Sequence, residues 1–481
     1  MSIFSEKLKE FTEQKNKPVY VLAKYCHMDR SNMYKIVHGT RHPSSIAVVE
    51  NLAQALTLTP YEKSQLLQAW HITELGEYIY YERKLVSAFI SGLKADRNYL
   101  ASESFGNMEQ SVSTLPKEDT VIYGKNSLNS CIKNMIEEET GKESPVIRLI
   151  CQPEQSFLFH LLATYGSSES LEIRHLICME SLSEKQENRY NLQCLNAMAP
   201  LLIASCRYQV HYYYDTVQSH FHNMNLLPCM LLTGNQVLLM TADFDQGLLL
   251  TSKDIVHMYC QLFEKYMKET KELFQDWLNF PELIDEFEKS KNHYVISILS
   301  PAPISGAIPA ELCFKYMKQE GSYQDLQKTF INDTLDYAQK CMLEGKYTNF
   351  FTEEGVRDFM DHGHIVDATS DYYHTFQMED RIQVLRNMVG MLKLGCPQGH
   401  LIKPGFLDMQ RDFYMTIYDT GRTDILFRNA NHQWRLISIV EKSLGDSFFN
   451  FTRYLTENPE VCSQEESLAV MENLLKEYEE K

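Results

Sequence analysis

Between Leu22 and Gly39 the chain reads LAKYCHMDRSNMYKIVHG, and Arg30, Ser31, Asn32, Tyr34 and Lys35 set hydrogen-bond donors of different shape within one short stretch. Arg offers a planar fork that matches two acceptors at once, Lys a point charge, and Ser, Asn and Tyr adaptable neutral groups. That set suits a polyanion whose edges also carry acceptors. Arg41 and His42 add two more donors downstream. From residue 17 to 43 there are five cations (Lys17, Lys24, Arg30, Lys35, Arg41) against the single acid Asp29, with His27, His38 and His42 alongside. A cationic run is also what a solvated helix face looks like, so the elements that carry these residues must decide.

Those elements are marked in the sequence. Leu22, Ala23, Cys26, Met28, Met33 and Ile36 are apolar at offsets that meet in one core if a helix ends near Tyr25, the chain turns at His27, and a second helix runs from Asp29 to His38. Asp29 suits the N-cap of that second helix, Gly39 the position just past its end, and Pro43 keeps it from resuming. The pattern is a helix-turn-helix. SSIAVVENLAQAL gives a further periodic helix, and TPYEKSQLLQAW opens with Thr59, Pro60 and Glu62 in the order of a capping box with Pro at the first helical position. Five short helices fit in the first 72 residues.

With the Leu22-Ala23 pair, these apolar positions, Gly39 and the Arg41-His42-Pro43 segment, the stretch resembles the Cro/repressor-like (XRE) helix-turn-helix family. The resemblance implies that Arg30 and Ser31, with Lys35 one turn on, reach base edges of double-stranded DNA. It implies that Asn32 or Tyr34 adds a phosphate or thymine contact and that Arg41 and His42 lie along the backbone. Two positions depart from the family: His27 stands where Gly is usual in the turn, and Val19 where Gln often bonds a phosphate. The competing reading is a helical protein-interaction module with a solvated face.

From Ile72 to about Asp96 the pattern is one longer connecting helix, and the polar stretch after it reads as a linker. Tyr78, Ile79, Tyr81, Leu85 and Phe89 on that helix are either a dimer seam or packing against the next domain. Beyond a helix near residues 126–139, short apolar runs (VIRLICQ, LEIRHLICM, YQVHYYYD, PCMLLTG, NQVLLMTAD) alternate with helical patterns, the last of them SKDIVHMYCQLFEKYMKETKELFQDW. This is an α/β domain ending near Phe280. The part that follows has helical patterns (PAELCFKYMKQ, YQDLQKTFINDTLDYAQKCML, MEDRIQVLRNMVGMLKL), three strands (FYMTIYD, DILFRN, WRLISIVE) and two final helices. Strand, hairpin, strand and long helix thus occur twice, once in PCMLLTGNQVLLMTADFDQGLLL and again in TDILFRNANHQWRLISIVEKSLG, which suggests a duplicated α/β half.

The first copy resembles the phospholipase D-like fold. Enzymes of that fold need two His-x-Lys units, one His to attack phosphorus and the other to protonate the leaving group. The nearest match, His220-Phe221-His222, lacks the Lys and has no counterpart in the second half. The resemblance therefore implies a degenerate copy without catalysis. There is no P-loop, GxSxG or HExxH, and the segment from Asp243 to Gly247, which imitates a calcium loop, places its Gly one position early and suits a hairpin turn better. His362, His364, Cys396 and His400 have ligand types for zinc but a long gap between pairs. The His and Tyr of HYYYD, SHFHNM and SDYYHTF read as strand and loop residues. No cofactor is expected.

The whole chain has 481 residues, a net charge of −18 and twelve scattered cysteines without a CxxC pair, which suits reduced thiols and a cytoplasmic location. Residues 1–72 carry nine Lys/Arg against six Asp/Glu, a net +3, leaving −21 for the rest. Only the N-terminal segment has the sign for phosphate. No run approaches a membrane span. The expectation is an α+β multidomain protein: a five-helix reader over 1–72, a connector over 73–120, an α/β sensor-like domain over 121–280 and a second α/β domain over 281–481. It would be a DNA-binding transcription regulator, a homodimer responding to an unidentified small molecule or peptide. The alternatives are a phosphodiesterase or nucleotide-processing enzyme with a DNA-targeting module, or an interaction scaffold.

Overall fold

The computed structural model describes the chain from Ser2 to Lys481 apart from residues 95–114, 154–155, 182–188, 218–224, 277–292, 305, 319–343, 345, 367–372 and 396. The expected linker, the helix over YQDLQKTFINDTLDYAQKCML, His220, His222 and Cys396 fall largely or wholly outside the described residues. The chain forms two compact units, Met1–Lys84 and Leu85–Lys481, and is an α+β multidomain protein.

The first unit is helical: α1 (Ile3–Gln14), α2 (Val19–Tyr25), α3 (Arg30–Val37), α4 (Ile46–Ala55) and α5 (Pro60–Leu75). The Leu22, Ala23, Cys26, Met33 and Ile36 side chains join Phe4, Leu8, Phe11, Val49, Leu52 and Leu66 in one core, with Met28 packed against it. Helices α1 to α4 each stop in the same way. A residue with positive φ follows the C-cap (Asn16, His27, Gly39, Thr57), and its N–H and the next one turn back to the last helical carbonyls. His27 takes the turn at φ 51°, a left-handed conformation that His tolerates better than most residues. Gly39 is required twice over: its φ is 74°, and a Cβ there would sit 2.5 Å from Oγ of the buried Ser5. Thr59 and Glu62 close the capping box at the start of α5.

The single connecting helix expected from Ile72 to Asp96 is broken. Helix α5 ends at Leu75, Gly76 adopts φ 84° and ψ 146°, and α6 (Glu77–Gly92) begins anew. A Cβ on Gly76 would meet nothing within 4 Å, so the backbone angles rather than crowding call for glycine there. Leu85 and Phe89 of α6 pack into the core of the second unit, which settles core packing over an exposed seam for these two, while Ile79 is exposed.

The second unit holds two mixed sheets. In chain order the first has β1 (Thr120–Tyr123), α7 (Lys125–Thr140), β2 (Val146–Ile150), α8 (Ser156–Tyr165), β3 (Glu172–Met179), α9 (Tyr190–Ile203), β4 (Arg207–Tyr214), β5 (Cys229–Leu232), β6 (Val237–Met240), β7 (Gln246–Leu250), α10 (Lys253–Glu269) and β8 (Lys271–Glu272). The second has β9 (Phe274–Asp276), β10 (Val295–Leu299), α11 (Ala310–Tyr316), β11 (Tyr347–Thr352), α12 (Glu353–His362), α13 (Met378–Lys393), β12 (Gln398–Ile402), β13 (Tyr414–Tyr418), β14 (Thr423–Arg428), β15 (Trp434–Ile439), α14 (Lys442–Glu457) and α15 (Gln464–Glu479).

Without β8, the order β1-β7-β6-β5-β2-β3-β4 maps strand for strand onto β9-β15-β14-β13-β10-β11-β12. The pairings match in direction too: β2-β3-β4 and β10-β11-β12 are parallel, and every other pair in the two sets is antiparallel. The duplication suggested by the recurring pattern is therefore a repeat of topology. Its register differs from the expected one, because β5-β6-β7-α10 corresponds to β13-β14-β15-α14, so the second copy starts one strand earlier, at Tyr414. The inner faces of both sheets share one core with α6, α7, α9 and α14. Glu441, buried at the N-cap of α14, ties the halves together: it accepts from Tyr214 Oη (2.5 Å), Ser443 Oγ (2.5 Å) and Leu444 N (2.9 Å).

Several expectations are corrected here. The helical pattern running to Trp277 ends at Glu269, and the residues after Thr270 are the edge strands β8 and β9, which pair with β4 and β15. Long-range pairing and the burial of Leu273 and Phe274 override the helical period. Strands β1, β10, β11 and β12 and helix α12 were not anticipated. The segment from Asp243 to Gly247 does form the β6–β7 hairpin turn, with Phe244 at φ 57°. Eight of the ten cysteines among the described residues are buried.

His175 on β3 is fully buried, with Nδ1 2.8 Å from Tyr208 Oη and Nε2 2.9 Å from the Cys151 carbonyl. Burial pushes its pKa down to about 4, the Cys151 carbonyl acting in the opposite sense. The unfolded imidazole titrates near 6.5, so the unfolded chain takes up the proton first and stability is lost as pH falls from about 6.5 towards 4. Between pH 7 and 4.5 this residue should account for a loss of roughly 2–3 kcal/mol. Urea unfolding at the two pH values, compared with His175→Asn, checks it: the variant should lose that share of the pH slope.

Candidate nucleic-acid interface

Helix α3 divides cleanly. Met33, Ile36 and Val37 are buried, while Arg30, Ser31, Tyr34 and Lys35 are exposed along the opposite face. Arg30 and Ser31 stand in its first turn, because Asp29 starts the helix there: its carboxylate accepts from Asn32 N at 2.8 Å. That backbone hydrogen bond holds the Asp29 carboxyl below the usual range, so the one acid of the segment stays ionised and committed to the cap. Tyr34 lies with its ring 4.0 Å from that of His38. Arg41 and His42 are exposed beyond the Gly39 turn.

Asn32 is used differently from the expectation. Its side-chain amide donates to Asp29, and its Oδ1 accepts from Arg41 Nη1 at 2.6 Å. It links the N-cap to Arg41 and fixes where that guanidinium stands, so it positions another residue's contact in addition to any of its own. This triad was not legible in the sequence, since residues nine apart meet only through the Gly39 turn.

Ion pairing sorts the nine cations of residues 1–72 into two groups. Lys7, Lys9, Lys15 and Lys63 pair with Glu10, Glu13, Glu62 and Glu50. Lys17, Lys24, Arg30 and Lys35 have no carboxylate partner, and Arg41 bonds only the neutral Asn32 side chain. Among the described residues, the five cations of residues 1–72 without a carboxylate partner are those between residues 17 and 43. Exposed Tyr20, Lys24 and Tyr25 on α2 add donors and aromatic surface that the expected set did not include.

The other candidates do not assemble. Among the described residues no group of three or more His, Cys, Asp or Glu is placed to hold a metal. His362 pairs with Asp358, and His400 bonds the Cys462 carbonyl through Nδ1 with its ring stacked on Phe350. The second unit has a cavity of about 930 Å³ between the outer face of the first sheet and α10, walled by Ile150, Leu176, Tyr213, Met230, Tyr259 and Tyr266. No helix among the described residues is long and apolar enough to cross a membrane.

No family model matches the chain, and no curated protein does. Among solved structures it is similar to TrmBL2, an archaeal chromatin protein whose structure shows a novel mode of DNA binding (11% identity, 56% of this chain, 99% of that one, TM-score 0.23). It is also similar to polyphosphate kinase from Porphyromonas gingivalis (12%, 76% and 56%, TM-score 0.21) and to phosphatidylserine synthase from Haemophilus influenzae Rd KW20 (10%, 76% and 93%, TM-score 0.24). Likeness at this level assigns neither fold nor activity.

Proposed function

We propose that the chain is a DNA-binding transcription regulator of the XRE type, with α3 as the recognition helix in the major groove. The observation that carries this is the sorting of charge: of the nine Lys and Arg in residues 1–72, the four outside the helix-turn-helix segment are paired with carboxylates and the five within it are not, in a chain of net charge −18. Unneutralised cations on one short segment are what counterion release from DNA requires, and a solvated scaffold face gains nothing from leaving them unpaired. Arg30 and Lys35 read base edges, Ser31 and Tyr34 support them, and Arg41, held by Asn32, contacts phosphate with His42.

Arg30→Ala should cost about 1–3 kcal/mol on a preferred site and relax discrimination between sequences. Arg41→Ala should weaken preferred and random duplexes alike and reduce the salt slope by about one. Anisotropy titrations on a duplex selected from a random library, at several salt concentrations, measure both. Equal affinity for all sequences before and after the Arg30 change rejects the readout role.

The second unit pairs the readers and senses an effector, and what supports a sensing role is the cavity between the first sheet and α10, a largely apolar concavity with tyrosine hydroxyls, the usual make-up of a small-molecule site. It performs no catalysis. Phosphodiester hydrolysis by the purified chain, lost when His220 and His222 are replaced together by Ala, would instead favour the phosphodiesterase reading.

A further inference from the structure

Helix α10 is apolar on two sides. Val256, Phe263 and Met267 face the outer surface of the first sheet, against Leu176, Met230, Leu232 and Val237. A second stripe, Met258, Leu262 and Tyr266, points away, with 47%, 40% and 47% of each residue exposed. Leu226, 88% exposed, and the half-buried Ile255 and Tyr259 extend it. A spacing of four residues keeps the stripe on one line of the helix. One covered sheet face accounts for the first side of α10; among the described residues no helix or strand covers the second, of which Tyr266 borders the cavity.

We propose that this stripe is the seam on which a second copy of the chain docks, α10 against α10 in antiparallel orientation. This rests on the reading of the protein as a paired DNA reader and says where the pairing occurs. The occupant is identified by the symmetry of the charges. Asp254 stands seven residues before Gln261 and Lys268 seven after it, on the same flank of the stripe, and Met258 and Tyr266 stand four before and four after Leu262. A two-fold axis near Leu262 therefore sets Asp254 of each copy beside Lys268 of the other and Met258 against Tyr266. An isologous interface must be self-complementary in this way. Among the described residues neither Asp254 nor Lys268 has an ion-pair partner, whereas the neighbouring Lys265 pairs with Glu269. The antiparallel arrangement also opposes the two helix dipoles. A parallel pair would set like ends side by side.

The test is the mass of the full chain in solution, by sedimentation velocity from 0.1 to about 30 µM. The wild type should be a dimer. Leu262→Asp, a surface change that leaves helix content unaltered, should raise the dimer dissociation constant at least about 100-fold, because the change is made twice across the axis. Asp254→Lys and Lys268→Asp should each weaken the dimer about 3- to 30-fold, and the two together should restore it. A monomeric wild type, or a dimer indifferent to Leu262→Asp, overturns the seam. Charge reversals that fail to rescue one another overturn the antiparallel pairing. No DNA enters these measurements, so their failure leaves the Arg30 discrimination test standing, and failure of that test leaves the seam standing.

Discussion

A fragment of residues 1–76 is expected to fold by itself yet to bind a two-half-site duplex about 10²- to 10⁴-fold more weakly than the full chain. Folding follows from the closed core of α1 to α5 and from caps supplied by near neighbours. The end point matters: Phe4 N donates to Thr73 Oγ1 at 3.0 Å, so a fragment cut at residue 72 loses a partner for the start of α1. Weak binding follows from linkage. A lone reader engages one half-site, while two readers held by the second unit make the second contact intramolecular. Anisotropy on duplexes with one and two half-sites should show the fragment indifferent to the second half-site and the full chain strongly dependent on it. Equal affinities for fragment and full chain on the double site would mean that the second unit does not pair the readers.

The largest effect on stability is expected at Gly445, in the first turn of α14. A Cβ there would lie 1.8 Å from the Gly421 carbonyl oxygen and 2.6 Å from its carbon, where the β13–β14 turn presses on the helix. Both obstacles are backbone, so no rotamer change relieves them. Helix α14 would have to retreat, and with it Leu444, Phe448, Phe451 and Leu455, which fill the core shared by the two sheets. Gly445→Ala should cost about 3 kcal/mol or more and lower the melting temperature of the second unit by roughly 3–5 °C. Gly390 in α13 is the control. A Cβ there meets nothing within 4 Å, so Gly390→Ala should be neutral or stabilise by about 0.5–1 kcal/mol. Calorimetry on the two variants should separate them clearly; similar small effects at both would mean that α14 can shift freely.

The elements legible in the sequence were those with local signals. Asp29, Gly39 and the Thr59-Pro60-Glu62 cap mark their helices because each cap is satisfied within a few residues along the chain. Strand β10 shows the opposite case. All five residues of VISIL are buried, so the strand lacks the alternation that a half-exposed strand displays and passes unnoticed between helical patterns. The stretch after Thr270 misled for a related reason: its period is helical, but its partners lie on β4 and β15. For the candidate interface, exposure of Arg30, Ser31, Tyr34 and Lys35 was readable from the apolar offsets of α3. The bond from Arg41 to Asn32, and the pairing that neutralises Lys7, Lys9, Lys15 and Lys63 while leaving the other five cations bare, were not.

By itself, then, the sequence determined the α+β class, the five N-terminal helices with both ends of α3 and the start of α5, the one cation-rich segment in an acidic chain, and the recurrence of a strand and helix pattern. Each depends on composition or on contacts between near neighbours. Only the tertiary structure decided that the recurrence is a strand-for-strand repeat with β1 paired to β7 and β9 to β15, that α10 stops at Glu269, and that its second apolar stripe is left uncovered by the described residues. These depend on contacts between residues about 60 to 165 positions apart, and no local period encodes which distant strand or side chain arrives to complete them.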